Sequence, residues 1–237
     1  MSGPVSTRSL KDGDETFDVT IVDAAAPSRL VLFAVGGGGN PERHQPLLTA
    51  LAASGCAIAA PHFARMTSPI PTDADLLLRV RRSRLALDAL ARPGLPVAGV
   101  GHSIGGAVLL ALAGGEIWRG PGGPIPIPPE DRLHDRLDRL ALMAPATGFF
   151  RAPAALDAVR TRILAWAATN DTIAPPAQAQ LLADVIGPRV PVTVRVTDGA
   201  GHFSFMDNPP PQTTEPLADR DAFLLEVRAE VIRFVTA

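Results

Sequence analysis

Between Pro96 and Ala113 a short apolar run passes through Gly101-His102-Ser103-Ile104-Gly105 directly into a second apolar run. The first, Pro96 to Val100, predicts a strand. The second, Ile104 to Ala113, predicts a helix that is apolar on every side and so has to be buried. Elsewhere, short β-branched runs alternate with longer amphipathic stretches, the pattern of a mostly parallel sheet with helices on both faces. The fold class expected is therefore α/β, in one domain covering residues 1–237.

The other elements follow from the same patterning. Ser6 to Leu10 and Thr16 to Val22 flank the turn signal Lys11-Asp12-Gly13-Asp14 and predict an opening hairpin. Strands are predicted at 30–35, 57–60 (ended by Pro61), 137–143, 162–167 and 190–196. Helices are predicted at 44–54, near 152–159, at 175–186 and at 219–235. A further helix, capped by Asp73, carries Leu76, Leu77, Val80, Leu87 and Leu90 on one side. The segment Gly114 to Pro129 is rich in glycine and proline, and its apolar residues suggest a contact surface. It starts at the edge of the sheet away from the carboxyl ends of the strands, which argues against a lid.

Composition narrows the function classes. Hydrophobic residues make up 46% of the chain and charged residues 19%, with 22 basic against 24 acidic side chains. A net charge of −2 leaves no footprint for nucleic acid or an anionic membrane. No apolar run approaches the roughly 18 residues of a membrane span. Met1 to Glu15 is polar and lacks a signal-type apolar stretch, so the expected compartment is the cytoplasm. Cys56, the single cysteine, excludes an internal disulfide and reads as a buried thiol.

With nine serines and 21 glycines, G-x-S-x-G would arise by chance roughly 0.07 times in such a chain, so its setting decides its meaning. Between strand and helix the pattern is that of a nucleophile elbow: small residues two positions either side of Ser103 permit the tight turn, and the hydroxyl stands exposed over a helix amino end. Gly99, Gly101 and Gly105 do not make a dinucleotide fingerprint, which would need glycine where Ile104 stands and an acidic residue about 20 positions on.

A serine hydroxyl needs a base, and the base needs a group that orients it. Of five histidines, His202 lies in a small-residue loop after a strand, where the sites of open sheets collect. His102 reads as turn packing, His44 and His134 as surface residues of helices, and His62 as a second histidine at a carboxyl strand end, a candidate to line the pocket. Asp171 follows the strand before the one leading to His202, giving the order Ser, Asp, His; Asp157 and Asp198 are the competing acids. Gly36 to Gly39 follows a strand, so the backbone N–H of Gly37 (Gly38 as the alternative) together with that of Ile104 is the expected oxyanion hole. As a P-loop the tetraglycine fails, since no Gly-Lys-Ser/Thr follows.

On Gly101 to Gly106 and on Gly199-Ala200-Gly201-His202-Phe203-Ser204-Phe205, the chain resembles the α/β-hydrolase superfamily over nearly its whole length, and within it bacterial dienelactone-hydrolase-like and platelet-activating-factor-acetylhydrolase-like proteins. Dienelactone hydrolase uses cysteine where this chain has Ser103, and many relatives have histidine where it has Val35. The resemblance implies small ester substrates, with thioesters or amides as variants. Few residues separate the strands ending at Met143 and starting near Arg162, so no large lid is expected. An open, small, largely apolar pocket is expected instead, with Phe63, Met66, Phe149, Phe150, Phe203 and Phe205 as candidate walls. The expected activity is that of a carboxylesterase. Acyl transfer or thioester cleavage on the same machinery, and a pocket that binds without reacting, are the alternatives. No metal-ligand spacing is present and no organic cofactor is implied.

Overall fold

A computed structural model describes residues 2–90 and 92–237, so Met1 and Ala91 of the expected 1–237 domain lie outside the described residues. The expected hairpin is β1 (Ser2–Asp12) and β2 (Glu15–Ala24), paired antiparallel around Gly13 at φ 63°. Six strands follow: β3 (Arg29–Ala34), β4 (Cys56–Pro61), β5 (Val97–His102), β6 (Leu137–Met143), β7 (Arg162–Ala168) and β8 (Val192–Thr197). All six are parallel, and β2 joins them antiparallel to β4. The sheet runs β1-β2-β4-β3-β5-β6-β7-β8. From β3 the chain steps to β4 on one side and then returns to β5 on the other. Open sheets of this kind place their ligands at such a reversal, outside the carboxyl ends of the strands.

Helices cover both faces. Alternation along β3 sends Val31 and Phe33 toward α1 (Gln45–Ala53) and α5 (Arg220–Thr236). Leu30, Leu32 and Ala34 point the other way, into the cluster of α2 (Asp73–Leu90), α3 (Ile104–Leu112) and α4 (Pro176–Ile186). As expected from its sequence, every residue of α3 is buried. It lies close on β5 because a Cβ on Gly99 or on Gly101 would come within 2.8 Å of the Leu109 side chain.

Four local expectations change. Helix α2 is capped by Thr72, one residue before the expected Asp73: Thr72 Oγ1 accepts from the Asp75 N–H at 3.1 Å, while the Asp75 carboxylate accepts from the Thr72 N–H at 2.8 Å, a reciprocal capping box. Residues 152–159 are successive turns closed by three-residue hydrogen bonds (Ala155 to Ala152, Asp157 to Ala154, Val159 to Leu156), because Ala154 sits at φ 64° and breaks the helical run. His134 lies in a turn before β6. The segment 114–129 starts at the far end as expected but climbs back: the Trp118 N–H donates to the Phe149 carbonyl, and Arg119 pairs with Asp73 at 2.6 Å. Its Ile117, Ile125 and Ile127 are buried in the α2/α3 cluster, so the expected exposed apolar surface is absent there.

Candidate active site

Ser103 occupies the single residue between β5 and α3, with φ 57° and ψ −124°. Such a backbone is strained for a residue bearing a side chain, and the surroundings hold it on three sides. The Ser103 N–H donates to the Met143 carbonyl at 3.0 Å, and the Ser103 carbonyl accepts from Gly106 at 2.9 Å and from Ala146 at 3.1 Å. The flanking glycines are required sterically. A Cβ on Gly105 would lie 2.0 Å from the Ala34 carbonyl oxygen, and one on Gly101 would press on both Leu109 and Gly105.

His202 comes from the long segment between β8 and α5. The Gly201 N–H donates to Ser204 Oγ at 2.9 Å, and Ser204 Oγ donates to Glu215 at 2.6 Å, which closes a turn around the imidazole. From that turn His202 Nε2 accepts from the Ser103 hydroxyl at 3.0 Å, and Nδ1 donates to Asp171 Oδ2 at 2.7 Å. Asp171 follows β7 and is buried. Its other oxygen, Oδ1, accepts from the N–H groups of Ile173 at 2.8 Å and Ala174 at 2.7 Å. Ser103, His202 and Asp171 thus form one hydrogen-bonded chain whose proton positions are set by acceptors at its buried end. The competing acids stand elsewhere: Asp157 is paired with Arg189, and Asp198 accepts from Thr169.

The tetraglycine loop after β3 meets the elbow after β5 on the neighbouring strand. A Cβ on Gly36 would sit 3.1 Å from His102 Nδ1 and 3.5 Å from Ser103 Cβ, so Gly36 lies directly against the elbow. Gly39, at φ 76°, packs where a Cβ would come within 2.0 Å of the Phe63 carbonyl. Gly37 and Gly38 lie between them, and Ile104 opens α3, where the first N–H groups have no partner within the helix.

The remaining histidines divide differently from expectation. His102 is fully buried and donates from Nε2 to the His202 carbonyl at 2.9 Å, the packing role expected of it. Burial, with the neighbouring His202 and His44, holds its pKa well below the usual histidine range. His44, expected at the surface, is only 1% exposed. Its ring packs between Phe33 and His102, and burial lowers its pKa to about 4. It ends a short 3₁₀ turn, Pro41–His44, ahead of α1, and this turns it inward. His62 is hydrogen-bonded to Thr20 Oγ1 at 2.7 Å and lines neither of the two cavities nearby. Cys56 is buried in β4, and burial raises its thiol pKa to about 11.

A cavity of about 300 Å³ opens beside His202. Phe203, Ile173 and Pro216 form part of its wall, but Asn170, Thr172, Gln212, Thr213, Thr214 and Glu215 also line it, so the expected largely apolar pocket is corrected to one of mixed polar and apolar lining. Phe150 and Phe205, expected as walls, are core residues, and Phe149 packs against the core. Phe63 and Met66 line a separate cavity of about 180 Å³ against α2. Sequence reasoning missed the cavity wall at 212–216. Its signal was length: the 22 residues from Asp198 to Asp219 join β8 to α5, and loops longer than about 15 residues usually carry function. Among the described residues no group of histidine, cysteine and carboxylate side chains is arranged to hold a metal ion, and no helix is long and apolar enough to cross a membrane.

No protein-family model and no curated protein matches the chain in sequence. Solved structures do match over nearly the whole length. A predicted CIB-like hydrolase from Thermoplasma acidophilum superposes with TM-score 0.66 at 13% identity, over 97% of this chain and 99% of that one. Esterase 2 of Thermogutta terrifontis gives 0.67 at 15% identity over 98% and 94%, and an esterase of Pyrococcus furiosus gives 0.68 at 13% over 99% and 92%. The Thermogutta enzyme has also been solved phosphorylated by paraoxon (TM-score 0.62, 16% identity, over 98% of this chain and 96% of that one). At these identities the likeness is one of architecture: the chain has the α/β-hydrolase fold, with an eight-stranded, mostly parallel sheet, and among the described residues no large lid is evident.

Proposed function

We propose that the protein is a serine hydrolase that cleaves small carboxylic esters, with Ser103 as nucleophile, His202 as general base and then acid, and Asp171 as the group that orients His202. The observation that carries this reading is the continuous chain from the Ser103 hydroxyl through His202 to Asp171, built on a strained elbow at the reversal point of the sheet. Esterases among the structural neighbours, one of them phosphorylated by paraoxon, support it.

In this mechanism Ser103 Oγ attacks the ester carbonyl carbon while His202 Nε2 takes the hydroxyl proton. The backbone N–H groups of Gly37 and Ile104 receive the oxyanion. The carbon–oxygen bond to the alcohol then breaks as His202 returns the proton to the leaving oxygen. Water enters, gives its proton to His202, attacks the acyl carbonyl, and the acid leaves as Ser103 regains its proton. Because His202 protonates the alcohol, the cavity at its side is the natural room for that part of the ester, and its threonine hydroxyls and amides favour an alcohol bearing hydrogen-bonding groups. We read residues 1–237 as one domain, since both apolar clusters lie on the faces of a single sheet. The closer likeness to dienelactone-hydrolase-like and platelet-activating-factor-acetylhydrolase-like proteins rests on residues 101–106 and 199–205 alone.

Labelling with a fluorophosphonate, mapped by mass spectrometry, together with hydrolysis of short-chain p-nitrophenyl esters, tests the reading. Modification at Ser103 and loss of turnover in a folded Ser103→Ala variant are expected. Unchanged turnover in that variant would end the assignment, and a wild-type protein that neither labels nor turns over would point to a pocket that binds without reacting.

A further inference from the structure

Arg79, in the second turn of α2, is 3% exposed, and among the described residues no carboxylate lies within ion-pairing distance of it. A cation held out of water with no direct ion-pair partner, attracted only at longer range by Asp75, is costly and calls for a compensating use of its donors. Its nearest acidic neighbour on the helix, Asp75, is committed to Thr72 in the capping box. The guanidinium instead reaches two backbone carbonyls, Gly36 through one terminal nitrogen and Ala64 through the other, each at 3.4 Å, with the Phe63 ring 4.6 Å from its centre. Burial lowers its pKa only to about 10, so it remains charged at neutral pH.

The Gly36 carbonyl belongs to the same peptide group as the Gly37 N–H. In a planar trans peptide these two bonds point in opposite directions, so whatever fixes the carbonyl also aims the N–H. Two donors converge on that oxygen: Arg79, and the Gly39 N–H at 3.1 Å. The second is only a local turn within a run of four glycines, which offers little rigidity of its own. Arg79 supplies the link from that turn to the buried face of α2, and through Ala64 it also ties in the segment whose Met66 N–H donates to the Gly37 carbonyl at 2.8 Å. Val35, the residue preceding the loop, has no polar group with which to do this.

We propose that Arg79 is a positioning residue that braces the Gly36–Gly37 peptide from beneath and thereby aims the Gly37 N–H at the oxyanion, an inference that rests on the esterase reading above. The role assigned to Arg79 is positioning, without contact to the reacting atoms. Its contribution appears in the transition state, where the negative charge forms, and hardly at all in ester binding.

The test compares Arg79→Met and Arg79→Lys with the wild type, using kcat per active site titrated by phosphonate, KM for a p-nitrophenyl ester, and the inhibition constant of a trifluoromethyl ketone, whose serine adduct carries the oxyanion. Losing one oxyanion donor outright typically costs 10²- to 10³-fold in kcat, so loss of the brace should cost less, on the order of 10- to 100-fold in Arg79→Met, with KM changed less than about threefold and ketone binding weakened in proportion to kcat. Lysine offers a point charge in place of a fork spanning two carbonyls, so Arg79→Lys should fall between the two. Wild-type kcat and ketone binding in a folded variant would overturn the proposal, as would a loss of kcat matched by a rise in KM with ketone binding unmoved. Where Arg79→Met does not fold, the lysine variant decides by the same criteria. Wild-type protein that neither labels nor turns over fails the esterase reading itself and takes this inference with it, an outcome separable from every other because it is read before any variant is made.

Discussion

Asp171 uses its two carboxylate oxygens for different tasks: Oδ1 accepts from the Ile173 and Ala174 N–H groups, and Oδ2 accepts from His202. In Asp171→Asn the amide oxygen is drawn to the two backbone donors, which leaves the NH₂ facing His202 Nδ1. The imidazole is then forced to carry its proton on Nε2, where it can no longer accept from Ser103. The expected result is a fall in kcat on the order of 10³- to 10⁴-fold, with KM nearly unchanged, measured by steady-state hydrolysis of a p-nitrophenyl ester. The position of Asp171 after a predicted strand, and of His202 after the next, could be read from the chain because polar residues at strand ends of an α/β pattern converge on one edge. The inward turn of His44 could not. It depends on a 3₁₀ turn that begins at Pro41 and lays the ring on Phe33, and a polar helix face looks the same in sequence whichever way the preceding turn rotates it.

At the scale of elements, α2 shows how closely an expectation can approach without meeting the structure. Thr72 and Asp75 exchange the hydrogen bonds that start the helix, while Asp73 is already its first helical residue and is paired with Arg119. Thr72→Ala should therefore lower stability by about 1 kcal/mol, the usual cost of a lost side-chain cap. Asp73→Ala, which removes only a solvent-exposed ion pair, should cost less. Urea midpoints of the two variants check the order, and the reverse order would return the cap to Asp73. Thr, Asp and Asp are all good caps, and a one-residue shift is settled by which backbone turn leads in, not by the side chains themselves. The turns at 152–159 are a similar case: the composition suits a helix, but Ala154 adopts a left-handed conformation that no local pattern reports.

For the molecule as a whole, acid stability carries the signature of the buried histidines. The usual histidine pKa is about 6.5; burial takes His44 to about 4, and burial also holds His102 well below its usual value. A depressed pKa means that the unfolded chain binds the proton first. The stability is fully present above pH 6.5, falls as the pH drops through the window between about 6.5 and 4, and the share due to His44 amounts to about 3 kcal/mol across it. Urea unfolding at pH 7 and pH 4.5 should show that fall, and His44→Leu should flatten the profile; an equally steep profile in the variant would assign the acid loss to other groups. By itself the sequence determined the alternation of strands and helices, the buried α3, the elbow and its glycines, because hydrophobic period and the steric demands of a tight turn are local properties. Only the tertiary structure decided that the pocket beside His202 is lined by polar as well as apolar groups, that Arg79 lies beneath the glycine loop, and that His44 is buried. Each of these depends on segments far apart in the chain meeting at the end of one sheet, where distances rather than sequence spacing set which donors, acceptors and charges face one another.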